Sequence, residues 1–375
     1  MTLQERVWQR RNRLRNRFSS LASSELQESP APVPAPRRKT TLADVAERAG
    51  VSTSTASRAL NGHAGLAPAT RAAIEDAAAT LNFQPSALAR SLRTRQTFTV
   101  GFIVPDVSSP FYAAALKGAQ GRLEQAGYRV MLMDANQDVE RELAAVETLL
   151  SHQVDGLLVA STGMPRAVFE STVPPHATPA IFFDGVIENA GDGAVTLDNE
   201  LGISLLVEHL VEHGHERIGL LAGSQRESAG AARLRGFYEA RDTHGAIPQN
   251  RYVKLCEWSI ADGRRAALEL LADAEPATGV IASSAELALG FMSAVAAQRV
   301  RVPDDIALVA FDDPYFGDLL EPSLTAVAYD ARMIGSRAAD LLVDAMRSGT
   351  EPRKVRIPVT LVRRRSCGCS GEAVA

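Results

Sequence analysis

The sequence predicts an α/β protein in two parts: a small head of three helices, then a body of two doubly wound lobes. Two observations carry this prediction. Residues 41–61 read TLADVAERAGVSTSTASRALN, two short helical segments broken by a glycine. From Thr97 onward, short apolar runs alternate with amphipathic helical stretches, and the runs fall into two sets. Strand and helix alternating at this pace make βαβ units, and two sets make two lobes.

In the head, Leu42, Val45, Ala46 and Ala49 fall at i, i+3, i+4 and i+7, the spacing of one buried helix stripe. Thr41 takes the N-cap place, Gly50 suits the left-handed residue that ends the first helix, and Ser52 caps the second. On the second helix Ala56, Ala59 and Leu60 face inward, while Ser54, Arg58 and Asn61 share the other face. An exposed face of short hydrogen-bonding side chains with an arginine suits the DNA major groove. The plainer alternative is a helical hairpin with a solvated polar face. Pro68 then opens a third helix, in which Ile74, Ala77, Ala78 and Leu81 close a small core before Phe83 and Pro85 stop it.

In the body, buried parallel strands are expected at 100–104, 129–133, 156–160, 180–183 and 194–197 for the first lobe. A second set is expected at 218–222, 252–256, 279–282, 306–310 and 324–328. Helices are expected between them, as at 113–126, 140–152 and 202–213. Lobes of this kind bind ligands at the carboxyl ends of their strands, here in the cleft between the two.

Charge divides the 375 residues in the same way. Residues 1–96 hold 15 Lys and Arg against 7 Asp and Glu, whereas residues 97–375 hold 25 against 37. A basic N-terminal part on an acidic body fits a nucleic-acid-binding head joined to a separate module. The first 39 residues read as a tail, with six arginines between Arg6 and Arg17 and a stiff PAPVPAP spacer ending at Pro36. That arginine cluster either adds phosphate contacts or is a solvated extension.

Three cysteines, Cys256, Cys367 and Cys369, do not make a disulfide framework. The Cys-x-Cys pair lacks further Cys or His close by in sequence, so no metal site is expected, and neither is a cofactor. No apolar run approaches the ~20 residues needed to span a bilayer, so no membrane partner is expected. No apolar h-region follows the N-terminal charges, so a secretory signal is not expected and a cytoplasmic, nucleoid-associated place is. An enzyme would need a nucleophile–base or metal constellation. His213 and His215 read instead as a helix end and a turn, so none is expected.

From Thr40 to about Ser366 the chain resembles the lactose-repressor family of bacterial transcription regulators. The resemblance rests on TLADVAERAGVS with its following T-x-SRALN, LNFQPSALARSLRT at Leu81–Thr94 and TVGFIVPDVSSPFY at Thr99–Tyr112. It continues in GHERIGLLAG at Gly214–Gly223, RLRGF at Arg233–Phe237 and VPDDIALVAFDD at Val302–Asp313. It implies a helix-turn-helix domain over 40–85, a hinge helix and linker over 86–96, and a periplasmic-binding-protein-like effector and dimerisation domain over 97–375. It also implies three crossings between the lobes, with 330–348 returning to the first.

For DNA, the resemblance implies that Thr53 and Ser54 select bases and that Arg58 makes a bidentate contact to guanine. Thr41, Thr55, Ser57 and Asn61 hold phosphates. Paired hinges fold on the operator, where Ala89 faces the partner hinge and Leu92 wedges into the minor groove. For the effector, Arg233 grips ligand oxygens, Phe111, Tyr112 and Trp258 stack on its apolar faces, and Asp106, Asp184 and Ser284 offer polar contacts.

The resemblance therefore implies a homodimer on an inverted-repeat operator, switched by a small-molecule effector, with a sugar or sugar derivative expected. Activation, corepression and a non-sugar metabolite stay open. Two departures bear on the ligand. Many members carry Asn-Asp where this chain has Ser284 and Ala285, and Arg where it has Gly185. Loss of a carboxylate removes a strong acceptor for vicinal hydroxyls, so the expectation is an effector other than a standard free hexose or pentose, or one bound weakly, or none.

Overall fold

The computed structural model describes residues 40–61, 65–83, 96–174, 177–187, 193–244, 250–348 and 353–369. The expectations for the tail and for hinge residues Ala89 and Leu92 lie outside the described residues. The chain divides into two compact units at Ala89 and Arg90.

The head is built from α1 (Leu42–Arg48), α2 (Thr53–Leu60) and α3 (Pro68–Thr80). Thr41 and Asp44 form a reciprocal capping box at the start of α1, and the Ser52 side chain accepts from Thr55 N at the start of α2. Such caps satisfy amide groups that a helix start leaves without partners. Gly50, at φ +64, makes the turn between the two helices. Val45, Ala46, Ala56, Ala59, Ile74 and Ala77 form the core, none more than 2% exposed. Arg71 Nη1 donates to Ala59 O at 2.9 Å and Thr40 Oγ1 to Leu81 O at 3.1 Å, tying α3 to α2 and to the chain before α1.

Among the described residues the body has two six-stranded sheets. The first runs β11-β5-β4-β3-β1-β2, with β1 (Thr99–Val104), β2 (Arg129–Asp134), β3 (Gly156–Val159), β4 (Ala180–Phe183), β5 (Gly193–Leu197) and β11 (Lys354–Ile357) all parallel. The second runs β12-β10-β9-β8-β6-β7, from β6 (Ile218–Ala222), β7 (Val253–Leu255), β8 (Gly279–Ala282), β9 (Ala307–Phe311), β10 (Thr325–Ala328) and β12 (Thr360–Val362). Of these β12 alone is antiparallel, pairing with β10. The two sheets have the same strand order, place for place.

Interior strands β3, β4, β8 and β9 are buried at every residue, because helices cover both faces of each sheet. In the first lobe α4 (Pro110–Gln125) and α11 (Ala331–Ser348) pack on Phe102, Val104 and Leu158. On its opposite face α5 (Val139–Ser151) and α6 (Arg166–Thr172) pack on Ile103, Val159 and Phe182. In the second lobe α7 (Asn199–Glu212) and α8 (Ser228–His244) cover Leu220, Val309 and Val327. There α9 (Ile260–Leu271) and α10 (Ala285–Gln298) cover Val280, Leu308 and Ala310.

The chain crosses between lobes after β5, after β10 and between β11 and β12, and α11 returns to the first lobe. The two edge strands β11 and β12 were not expected from the sequence. Within β11 Ile357 alone is buried, and β12 is three residues long, so neither carries the apolar run that marks an interior strand.

Candidate functional site

The three crossovers leave a cleft between the lobes, above the carboxyl ends of the parallel strands, where loops and helix starts converge. It holds a cavity of about 560 Å³. All seven cleft residues singled out in the sequence line it: Asp106, Phe111, Tyr112, Asp184, Arg233, Trp258 and Ser284.

From the first lobe come Asp106, in the loop after β1, and Phe111 and Tyr112, in the first turn of α4. Asp106 turns its Oδ1 back onto Ser108, accepting from its N at 2.8 Å and its Oγ at 2.7 Å. Phe111 lies edge-on to Tyr112 and to Tyr329, with centroids 4.9 and 5.9 Å apart. Tyr112 donates its hydroxyl to Asp184 Oδ2 at 2.9 Å. Asp184 follows β4 directly and takes φ 57. Burial pushes its carboxyl above the usual range, while Arg233 and the Tyr112 hydrogen bond pull it down.

Arg233 reaches the cleft from α8 of the second lobe. Its side chain is 6% exposed, so its charge must be met by protein groups. Nε donates to Asn199 Oδ1 at 2.8 Å and Nη1 to Ser283 O at 2.6 Å, and Nη2 lies 3.8 Å from Asp312 Oδ1. The guanidinium sits 3.8 Å over the Phe311 ring and 5.6 Å from that of Trp258, both within cation–π range. Trp258 donates its indole N–H to Glu227 Oε1 at 2.8 Å. Burial first, then the neighbouring Asp184, pushes the Glu227 carboxyl up to about 8, against the lowering effect of the Trp258 hydrogen bond. Ser284 accepts from Leu287 N as the N-cap of α10, so part of its polar capacity serves the helix.

Among the lining residues that sequence reasoning missed are Glu227, Glu286, Asp312 and Tyr329. Asp312 was findable, because it follows β9 as Asp184 follows β4. Glu286 comes two positions after Ser284, and burial raises its carboxyl too. A carboxyl group therefore does reach the cleft from the start of α10, although Ala285 cannot supply it. Gly185 also has a local reason: a Cβ there would lie 2.3 Å from Ser161 O. Its own carbonyl accepts from Ser161 N at 3.0 Å, which holds the backbone against the end of β3.

In the head, Thr53, Ser54, Arg58 and Asn61 are exposed along α2, Thr41 is exposed at the start of α1, and Thr55 and Ser57 are half-buried. The hydroxyls of Ser54 and Thr55 each lie 2.8 Å from Ser52 Oγ, and Asn61 Nδ2 donates to Ser57 O at 2.6 Å. The short polar side chains are thus held along the helix surface, and Arg58 is exposed among them. No helix among the described residues is long and apolar enough to cross a membrane.

Comparison with known proteins covers both units. Residues 41–86 match the lacI family of bacterial regulatory proteins, and residues 207–367 match a periplasmic binding protein-like domain. The chain is 30% identical over 327 residues to the HTH-type transcriptional regulator GalR of Escherichia coli (strain K12), covering 87% of this chain and 95% of that protein. It is 29% identical over 328 residues to the HTH-type transcriptional repressor PurR of Edwardsiella ictaluri (strain 93-146), covering 87% and 96%. Among solved structures, the Lac repressor dimer bound to operator and the anti-inducer ONPF superimposes with a TM-score of 0.79 at 28% identity, covering 88% of this chain and 99% of that one. The complex of the transcriptional regulator CelR with cellobiose gives 0.67 at 29% identity, covering 88% and 100%.

Proposed function

The chain belongs to the LacI family of bacterial regulatory proteins, and on that premise we propose a repressor that binds an inverted-repeat operator as a homodimer. Its switch is a small molecule in the interlobe cleft, a sugar or sugar derivative. The protein works on the nucleoid in the cytoplasm and catalyses no reaction. GalR and PurR are named as transcription regulators, and the matching solved structures include a repressor dimer on operator DNA and a regulator holding cellobiose.

The observation that carries the effector half is Arg233. A charged group this deeply buried, flanked by the Phe311 and Trp258 rings and facing a cavity of about 560 Å³, suits a ligand with an apolar face and polar edges. Phe111 and Trp258 offer faces for sugar C–H groups, and Asp106, Asp184 and Ser284 offer acceptors. On DNA, Thr53, Ser54 and Arg58 read bases in the major groove. Thr41, Thr55, Ser57 and Asn61 hold phosphates, and Ala89 and Leu92 act at the minor groove. The effector biases two arrangements of the lobes, and one arrangement parts the paired hinges.

A second reading has its own support. Asp184, Glu286 and Asp312 line the cavity beside the buried guanidinium of Arg233. That acidic excess favours a non-sugar metabolite bearing an amine, acting as inducer or corepressor of a repressor or an activator.

Sheared genomic DNA captured by the full chain near physiological salt and then sequenced tests the DNA half. Recovery of an inverted repeat supports the proposal, and retention without a common motif contradicts it.

A further inference from the structure

Away from the cleft, the last described residues of the chain meet α7 in a cluster of metal-binding side chains. His209, on α7, and His213, the residue that caps its C-terminus, stand one helical turn apart, and their ring centroids are 4.4 Å apart. Opposite them lie Cys367 and Cys369, which follow β12. One ligand atom from each of the four lies within 4.8 Å of every other. Cys369 Sγ is 3.3 Å from His213 Nε2 and 3.7 Å from His209 Nε2.

A tetrahedral zinc ion, with Zn–S near 2.3 Å and Zn–N near 2.0 Å, holds its ligand atoms roughly 3.3–3.8 Å apart. The two Cys369 distances already fall in that range, and the buried Cys367 Sγ, now 3.0 Å from Thr325 Oγ1, stands within 4.8 Å of the other three ligand atoms. The donor set is the Cys₂His₂ set of structural zinc. We propose that His209, His213, Cys367 and Cys369 form a closed zinc site that fastens the C-terminal segment to α7.

The surroundings are built for such a role. Ser366 is fully buried, accepting from Thr325 N at 2.9 Å and donating to Leu308 O at 2.5 Å, which fixes the backbone beside Cys367. Gly368 takes φ 92, reversing the chain so that the second cysteine returns to the same side. His213 Nδ1 lies 2.8 Å from His209 O. Donation to that carbonyl orients the ring and leaves Nε2 as the lone-pair nitrogen, the usual outer support of a metal-bound histidine. His209 is 2% exposed, and its Nδ1 is buried without a hydrogen-bond partner among the described residues. With Nε2 as the zinc ligand, Nδ1 carries the ring proton and stays without an acceptor among the described residues. Of the two histidines, His213 alone therefore has the outer hydrogen bond usual for a metal ligand. His213 is exposed and Cys369 half-buried, giving an ion a way in. With four protein ligands the site leaves no open position, so its contribution is to stability and not to chemistry.

The test uses the full untagged chain, stripped with chelator under reducing conditions and titrated with Co²⁺ and then Zn²⁺. The proposal predicts one Co²⁺ per chain, showing tetrahedral ligand-field absorption with a thiolate-to-cobalt charge-transfer band that Zn²⁺ abolishes. His213→Ala and Cys369→Ser, both at the exposed rim and checked for an unchanged circular dichroism spectrum, should weaken binding at least tenfold. The second should also diminish the sulfur band. Zinc should raise the melting temperature of the parent and not of either variant. Cobalt binding without a sulfur band, equal affinity in Cys369→Ser, or a Cys367–Cys369 disulfide in protein kept reduced would each overturn it.

Discussion

Asp184 and Asp312 stand at equivalent strand ends, β4 and β9, in two sheets of identical strand order, and each accepts a hydrogen bond from a tyrosine hydroxyl. Tyr112 donates to Asp184 at 2.9 Å and Tyr329 to Asp312 at 2.5 Å. Both aspartates take positive φ, 57 and 75, a conformation that side-chain-bearing residues adopt sparingly and that clusters at functional sites. The lobes thus present matched, pre-oriented carboxyl groups to one cavity, with Arg233 acting on both.

Tyr112→Phe removes the partner of a buried carboxyl group while keeping the ring. Unfolding in urea at neutral pH should show a loss of about 1.5–3 kcal/mol, the range for hydrogen bonds to charged groups. An unchanged midpoint would mean that Asp184 does not depend on this bond.

Glu227 gives the body a pH dependence. Its carboxyl titrates at about 8 in the folded chain, against an ordinary value of 4.5. The folded state holds this proton more tightly, so the stability it contributes is complete below the ordinary value and is lost as pH rises through the folded one. Glu227→Gln, neutral throughout, should flatten that slope and leave the variant more stable than the parent at alkaline pH. Urea midpoints measured across the window read this directly, and parallel pH profiles for the two proteins would contradict it.

Arg58→Ala should cost about 1–3 kcal/mol of discrimination between operator and scrambled DNA, the value of one good bidentate contact. The comparison requires titration at fixed salt, because phosphate contacts alone change with salt. Equal discrimination would remove Arg58 from base reading.

Helices α4 and α11 approach closely through small residues. A Cβ on Gly335 would lie 1.8 Å from Ala115 O, and one on Gly118 would lie 1.9 Å from Arg332 O. Gly335→Ala should therefore destabilise the first lobe by about 1–3 kcal/mol through overpacking, despite the better helix propensity of alanine. Thermal melts decide, and a higher melting temperature would contradict the prediction.

Much of this was legible in the chain because local pattern and tertiary environment agree. The stripe of Val45 and Ala46, the caps at Thr41 and Ser52, and the buried runs at Gly156–Val159 and Ala180–Phe183 each carry their own signal. The strand-end rule found Asp184, and applied equally to β9 it would have found Asp312. Glu227 carried no such signal, since an acid in a polar loop reads as solvated until Trp258, 31 positions on, covers it. The histidine–cysteine cluster was illegible for the same reason. Cys369 and His213 are 156 positions apart, and the third lobe crossing brings them together. Neither β11 nor β12 stood out, because edge strands need no continuous apolar run.

The central claim, that one chain couples operator binding to occupation of the cleft, is tested most directly with the operator recovered from genomic DNA. Its affinity for the full-length chain would be measured against fractions of the cell's small-molecule pool while Trp258 emission is followed in a Trp8→Phe background. Coupling through the cleft predicts a fraction that shifts operator affinity by about 5–150-fold, the usual span of allosteric coupling, and perturbs Trp258 over the same concentrations. A fraction that shifts operator affinity while leaving Trp258 unperturbed would contradict it.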